Sequence, residues 1–141
     1  MAASDATIKR LLETTRTIAL SGASADPTRD SRQVMAFLQS RGYRVFPVNP
    51  ALAGQELLGE KVYADLASIP GEIDLVDVFR RSEAAGAVVE QAIAQKAKAV
   101  WLQLGVIDAA AIARAEAAGL VAVMDRCPKI EIRRLGIAPV G

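Results

Sequence analysis

The 141 residues suit one domain with a single developed core, and 52% hydrophobic with 23% charged residues is a folded composition. The 17 Lys and Arg against 16 Asp and Glu leave a net charge of +1, which argues against a dedicated nucleic-acid binder and against polybasic membrane attachment, while leaving room for a local phosphate site. There is no histidine and one cysteine, Cys127, which excludes an intrachain disulfide, zinc sites built from several cysteines, phosphohistidine chemistry and any catalytic step that needs imidazole.

Residues 1–16 place Ile8, Leu11 and Leu12 at helical spacing among Asp5, Lys9, Arg10 and Glu13, which predicts a short amphipathic helix. They lack the apolar stretch of a signal peptide, and no run reaches the roughly 18–20 apolar residues that span a bilayer. With a single free thiol suited to a reducing compartment, the expectation is a soluble, cytoplasmic protein.

Five short apolar runs follow, over residues 17–21, 44–49, 74–79, 99–104 and 121–125. Each is rich in β-branched residues and nearly continuous, the pattern of strands buried on both faces of a parallel sheet. Trp101, in the fourth run, reads as core. Between them, residues 31–41 carry Val34, Met35, Phe37 and Leu38 on one side, with Gly42 as a stop. Residues 83–96 carry Val88, Val89, Ala92 and Ile93 likewise. Residues 108–118 form an Ala-rich helix with Asp108 as cap and Gly119 as stop.

The crossover from Asn49 to Asp74 is irregular. It supports only a short helix over residues 65–69, with Asp65 as cap and Pro70 as stop. The tail, residues 129–141, has apolar residues without a clean period and either packs on the core or mediates a homodimer. The alternation predicts an α/β, doubly wound, mainly parallel five-stranded sheet with helices on both faces. The chain reads as one domain over residues 1–141: an N-terminal helix (1–16), a core (17–128) and a tail (129–141).

Ligands of such sheets sit at the carboxyl ends of the strands. After the first strand, Gly22, Ala23 and Ser24 let the backbone approach a phosphate, Arg29 is a nearby cation, and Ser31 opens the next helix, whose N-terminus attracts anions. The dinucleotide pattern G-x-G-x-x-G is absent. After the second strand, Asn49-Pro50 stands where an NAD enzyme usually has an acid for the ribose; turn chemistry alone also explains the pair. After the third come Phe79, Arg80 and Arg81, an aromatic ring beside two planar forks suited to phosphate. The alternative is a solvated helix start with Ser82 as cap. After the fourth come Gln103 and Gly105. After the fifth come Asp125, Arg126, Cys127 and Lys129, read either as a thiol activated by cations or, preferably, as a small buried residue beside a structural charge network.

Five motifs in order carry a resemblance. Gly22-Ala23-Ser24 with Asp26-Pro27, Val48-Asn49-Pro50, Val76-Asp77-Val78-Phe79-Arg80, Val100-Trp101-Leu102-Gln103-Leu104-Gly105 and Met124-Asp125-Arg126-Cys127-Pro128-Lys129 resemble the stand-alone CoA-binding-domain proteins. These are small bacterial and archaeal proteins of Rossmann-like fold, similar to the N-terminal CoA-binding domain of the succinyl-CoA synthetase alpha subunit. The resemblance spans roughly residues 10–135. It implies coenzyme A or acyl-CoA as the ligand, with the phosphates over the 22–31 loop and Arg29. Asn49 and Pro50 would line the crevice, Phe79, Arg80 and Arg81 would flank adenine and ribose phosphate, and Gln103 to Gly105 would close the far side. Ala51 stands where relatives carry a basic residue, which leaves that phosphate contact missing or supplied by Lys61. Leu104 stands where relatives often have Glu. The synthetase's phosphohistidine is absent, so the resemblance implies binding without ligase chemistry. Two other readings stand beside it: an NAD(P)-binding oxidoreductase-like protein, and a thiol function at Cys127.

Overall fold

A computed structural model of the protein describes residues 2–141. Along Thr17–Ser21 (β1), Ile18 and Leu20 face one side of the sheet and Ala19 the other, and all three are fully buried. The same two-sided burial holds in Arg44–Val48 (β2), Leu75–Val78 (β5), Ala99–Leu102 (β6) and Val121–Val123 (β7). That is why these runs read as continuously apolar rather than alternating. The five strands pair in parallel in the order β2-β1-β5-β6-β7. Counting only this sheet the order is 2-1-3-4-5, which reverses direction between β1 and β5 and places the topological switch point there.

The two faces have separate cores. Asp5–Thr14 (α1), Asp30–Ser40 (α2) and Pro128–Arg134 (α5) cover one face through Ile8, Leu12, Val34, Met35, Leu38 and Ile132, packed with Leu20 and Trp101. Ser82–Ala94 (α3) and Ala109–Ala117 (α4) cover the other through Val88, Val89, Ala92, Ile112 and Ala115, packed with Val76 and Val100. Trp101 is fully buried, its indole N–H donating to the Arg126 carbonyl at 2.8 Å.

Several local expectations change. Residues 49–74 hold two single-turn 3-10 helices, Pro50–Leu52 and Leu66–Ser68, and a two-residue hairpin, Glu56–Leu57 (β3) with Glu60–Lys61 (β4). The Tyr63 N–H donates to the Pro47 carbonyl at 2.9 Å, so the segment covers the outer edge of β2, where a proline is tolerated. Asp65 caps its helix as expected, accepting from the Ser68 N–H at 2.9 Å. The tail is not aperiodic coil: its first residues form α5, docked on α1 and α2. Arg134 donates to Asp5 at 2.7 Å and 3.0 Å and to Glu131 at 3.0 Å, and Arg126 donates to Glu131 at 2.7 Å. No helix among the described residues is long and apolar enough to cross a membrane.

Candidate functional site

The loop after β1 is drawn onto the end of β2. The N–H groups of Gly22 and Ala23 both donate to the Val48 carbonyl, at 3.0 Å and 3.2 Å. On its other side, Gly22 meets β5. A Cβ added to it would lie 2.8 Å from the Phe79 carbonyl carbon and closer still to its oxygen, and its φ is +90°. Only glycine lets the two strand ends approach this closely. The glycine therefore serves the junction of β1 and β5 first, and through it the shape of any site above.

A crevice of about 960 Å³ opens along the carboxyl edge of the sheet at this junction. Such a volume is that of a small-molecule cleft. Of the residues singled out in the sequence, Gly22, Ala23, Ser24, Arg29, Ser31, Asn49, Phe79, Arg80, Arg81 and Gln103 line it. Pro50 and Gly105 lie outside the lining. Gly105 instead gives its N–H to Asp125 at 2.8 Å, and Pro50 starts a 3-10 turn. Lys61 also lies outside; its ammonium sits 5.4 Å from the Tyr63 ring centre.

The crevice gathers cations and unpaired backbone donors. Among the described residues, the backbone N–H groups of Ser24, Ala25, Asp30 and Ser31 donate to no acceptor within the protein. The last two belong to the first turn of α2, whose dipole adds positive potential. Arg29 and Arg80 are exposed and form no ion pair among the described residues, whereas Arg81 makes only a loose, exposed pair with Glu83 at 3.6 Å. Asp26 and Asp30 oppose them. Asp26 is tied to Thr28, accepting from its N–H at 2.9 Å and its hydroxyl at 2.8 Å, and these bonds hold its carboxyl below the usual range.

Two expected helix starts differ. Ser31, expected to open the helix, is the second residue of α2 and is buried; the cap position is Arg29, which makes no side-chain cap bond. Ser82 is the first residue of α3, after Arg81, and its hydroxyl reaches across to the next loop, accepting from the Ile107 N–H at 2.9 Å and donating to the Gly105 carbonyl at 3.3 Å. Asn49 is engaged on both sides of its amide. Its amide donates to the Ala23 carbonyl at 2.8 Å and accepts from the Ala51 N–H at 2.9 Å, so it builds the crevice wall, as turn chemistry suggested.

Sequence reading missed Leu52, Val106 and Ile130, which also line the crevice, as do Leu104, expected on the far side, and the buried Cys127. Leu52 and Val106 lie a few residues after strand ends, whereas Ile130 is brought in by α5. Lys129 contributes to the wall too, its ammonium 5.7 Å from the Phe37 ring centre. Asp77 was read only as a strand residue. It is fully buried between its cross-strand neighbours Leu20 and Trp101, and both carboxylate oxygens lack a donor. Burial pushes its carboxyl well above the usual carboxylate range, favouring the protonated form. Two residues past Trp101, the buried amide oxygen of Gln103 also has no donor.

A parallel doubly wound sheet with a crevice at its switch point defines a Rossmann-like domain. The chain belongs to the CoA binding domain family, whose model matches residues 16–133. It is similar to the uncharacterized protein YneT of Bacillus subtilis (strain 168), 38% identical over 127 residues that cover 90% of this chain and 93% of that one. Among solved structures it is similar to a hypothetical protein from Pyrococcus horikoshii OT3, with 41% identity, a TM-score of 0.89, and coverage of 94% and 92% of the two chains. A Thermus thermophilus protein matches with 36% identity, a TM-score of 0.90, and coverage of 94% and 99%.

Proposed function

We propose that the protein binds coenzyme A or an acyl-CoA thioester in this crevice, as a binding module rather than a catalyst. The observation that carries the reading is the convergence of unpaired cations and free backbone donors at the switch point of a chain in this family. Phosphates are placed over the N–H groups of Ser24, Ala25, Asp30 and Ser31, with Arg29 alongside. Phe79, Arg80 and Arg81 are placed against adenine and the ribose phosphate. The arm that ends in sulfur then runs past Gln103 toward Cys127. Phosphohistidine chemistry has no residue to carry it in a chain without histidine. A hydride-transfer role is less well supported: the end of β2 offers Asn49, whose amide is already engaged, instead of an acid for the ribose.

Thermal unfolding with CoA, dephospho-CoA, NAD and NADP side by side tests the reading. A ligand at 100 times its dissociation constant adds about 2.7 kcal/mol, a shift of several degrees for a domain of this size. The expected order is CoA, then dephospho-CoA, with no shift for NAD. A shift with NAD and none with CoA would reverse the assignment. The presence of Cys127 in the lining supports a second reading, a thiol that reacts in the crevice; slow labelling of Cys127 by a small alkylating agent in the folded protein would end it.

A further inference from the structure

We propose that the β6–β7 end of the crevice is an acyl-recognition subsite, selecting a CoA thioester with an aliphatic chain of several carbons over acetyl-CoA or free CoA. The inference rests on the CoA reading above and specifies what the ligand's sulfur carries.

Of the four exposed large hydrophobic side chains among the described residues, Leu104 (55% exposed), Ile107 (47%) and Ile130 (50%) follow the carboxyl ends of β6 and β7, and Val121 starts β7 at the opposite edge of the sheet. Leu104 and Ile130 line the crevice with Val106. Arg29, Arg80 and Arg81 sit elsewhere along it, and the cation beside Ile130, Lys129, has its ammonium 5.7 Å from the Phe37 ring centre. The sheet order carries the crevice from the 22–31 loop after β1, past Arg80 and Arg81 after β5, to Leu104 after β6 and Ile130 after β7. Neighbouring strands are about 4.8 Å apart, so the ends of β1 and β7 lie about 14 Å apart along the sheet edge, with α5 folded back against α2. An extended pantetheine arm spans that order of distance, enough to carry a thioester from phosphates over α2 to Leu104 and Ile130.

The apolar end is also preformed. The Gly105 N–H is held by Asp125 at 2.8 Å, the Ile107 N–H by the Ser82 hydroxyl at 2.9 Å, and the Val106 N–H by the Gln103 carbonyl at 2.9 Å. Three backbone groups in a row are fixed by a turn on Gln103, by α3 and by the loop after β7. Leu104 and Ile107 stand in water because the loop is tied that way, not because a loose segment has drifted out. An ordered apolar surface needs little further ordering on binding. An acyl chain laid on it removes water from both partners. A free thiol leaves the surface wet.

Calorimetric titration of the full chain with free CoA, acetyl-CoA and hexanoyl-CoA reads the preference directly. A fully buried methylene is worth about fourfold in affinity. Four extra methylenes half-covered on an open rim give hexanoyl-CoA a preference over acetyl-CoA of roughly tenfold or more. In the double variant Leu104→Ser/Ile130→Ser that ratio falls toward one. Both side chains are half-exposed, so the variant is expected to fold, and its urea midpoint checks this. Binding of all three ligands with equal affinity overturns the subsite and leaves the CoA reading standing. Binding of none overturns both. A protein that self-associates in sedimentation, loses the association in the double variant and shows no acyl preference assigns the patch to a second copy of this chain instead.

Discussion

Asp77 gives the chain an unusual pH profile. In the unfolded chain its carboxyl ionises in the ordinary range, near pH 4. In the fold it lies between Leu20 and Trp101 without a donor, and burial pushes its titration well above that. Above about pH 4 the unfolded chain has lost this proton and the native chain still holds it. Stability therefore falls as pH rises, until Asp77 itself ionises in the fold. One proton of difference is worth about 1.4 kcal/mol for each pH unit over which the fold keeps it and the unfolded chain has lost it. That is a sizeable part of the ~5–15 kcal/mol that holds a domain together. No histidine titrates in this window to mask it. Asp77→Asn keeps the shape and removes the proton. Urea unfolding at pH 5, 6 and 7 should show the wild-type midpoint dropping by roughly 1–2 M, while the variant stays flat. Parallel profiles in the two proteins would show that Asp77 carries no proton difference, and the argument from burial would fail.

Other substitutions test other parts of the molecule. Gly22→Ala should cost about 3–5 kcal/mol, because its Cβ meets the Phe79 carbonyl at a positive φ and neither strand end can retreat cheaply; a variant within 1 kcal/mol of wild type in urea unfolding would contradict this. Arg80→Ala with Arg81→Ala should weaken CoA binding about tenfold or more by calorimetry, since a charge-assisted contact is worth about 1.5–3 kcal/mol; unchanged affinity would show the two arginines to be merely solvated. Glu131→Gln should cost about 1–3 kcal/mol at pH 7, because the buried carboxylate holds Arg126 of the preceding loop and Arg134, which in turn reaches Asp5 of α1. Hydrogen bonding from Arg134 holds the Glu131 carboxyl below the usual range, so its contribution is present above about pH 4 and is lost as pH falls through its folded titration. The penalty should thus shrink in strong acid; a penalty independent of pH would refute the ion-pair account.

The sheet was legible because each strand is buried on both faces. Ile18, Ala19 and Leu20 are all at 0% exposure, and no surface-facing residue breaks the run. The strand ends ran one or two residues short of the apolar runs, since Asn49, Phe79, Gln103 and Leu104 belong to the loops above the sheet. What escaped notice did so for physical reasons. The elements between Asn49 and Asp74 are two or three residues long, too short for a period. Helix α5 mixes the usual pattern: it buries Glu131 beside Ile132 and leaves Ile130 half-exposed, so its apolar residues do not mark a single face. The hydroxyl of Ser82 looked like a local cap and instead holds a loop more than twenty residues away. Asp77 carries no local mark at all, because only the register of β1 and β6 shows that its neighbours are Leu20 and Trp101. The crevice followed the same division. Residues directly after strand ends were visible, whereas Ile130, brought in by α5, was not.

The most direct test of the central claim is where CoA touches the backbone. Amide chemical shifts recorded by NMR during a CoA titration should move most at Ser24, Ala25, Asp30 and Ser31, whose N–H groups have no acceptor in the protein, and next at Arg80 and Arg81. Removing the ribose phosphate, with dephospho-CoA, should diminish the shifts at the two arginines and preserve those at the loop. Shifts confined to another surface, or none at millimolar CoA, would contradict the account.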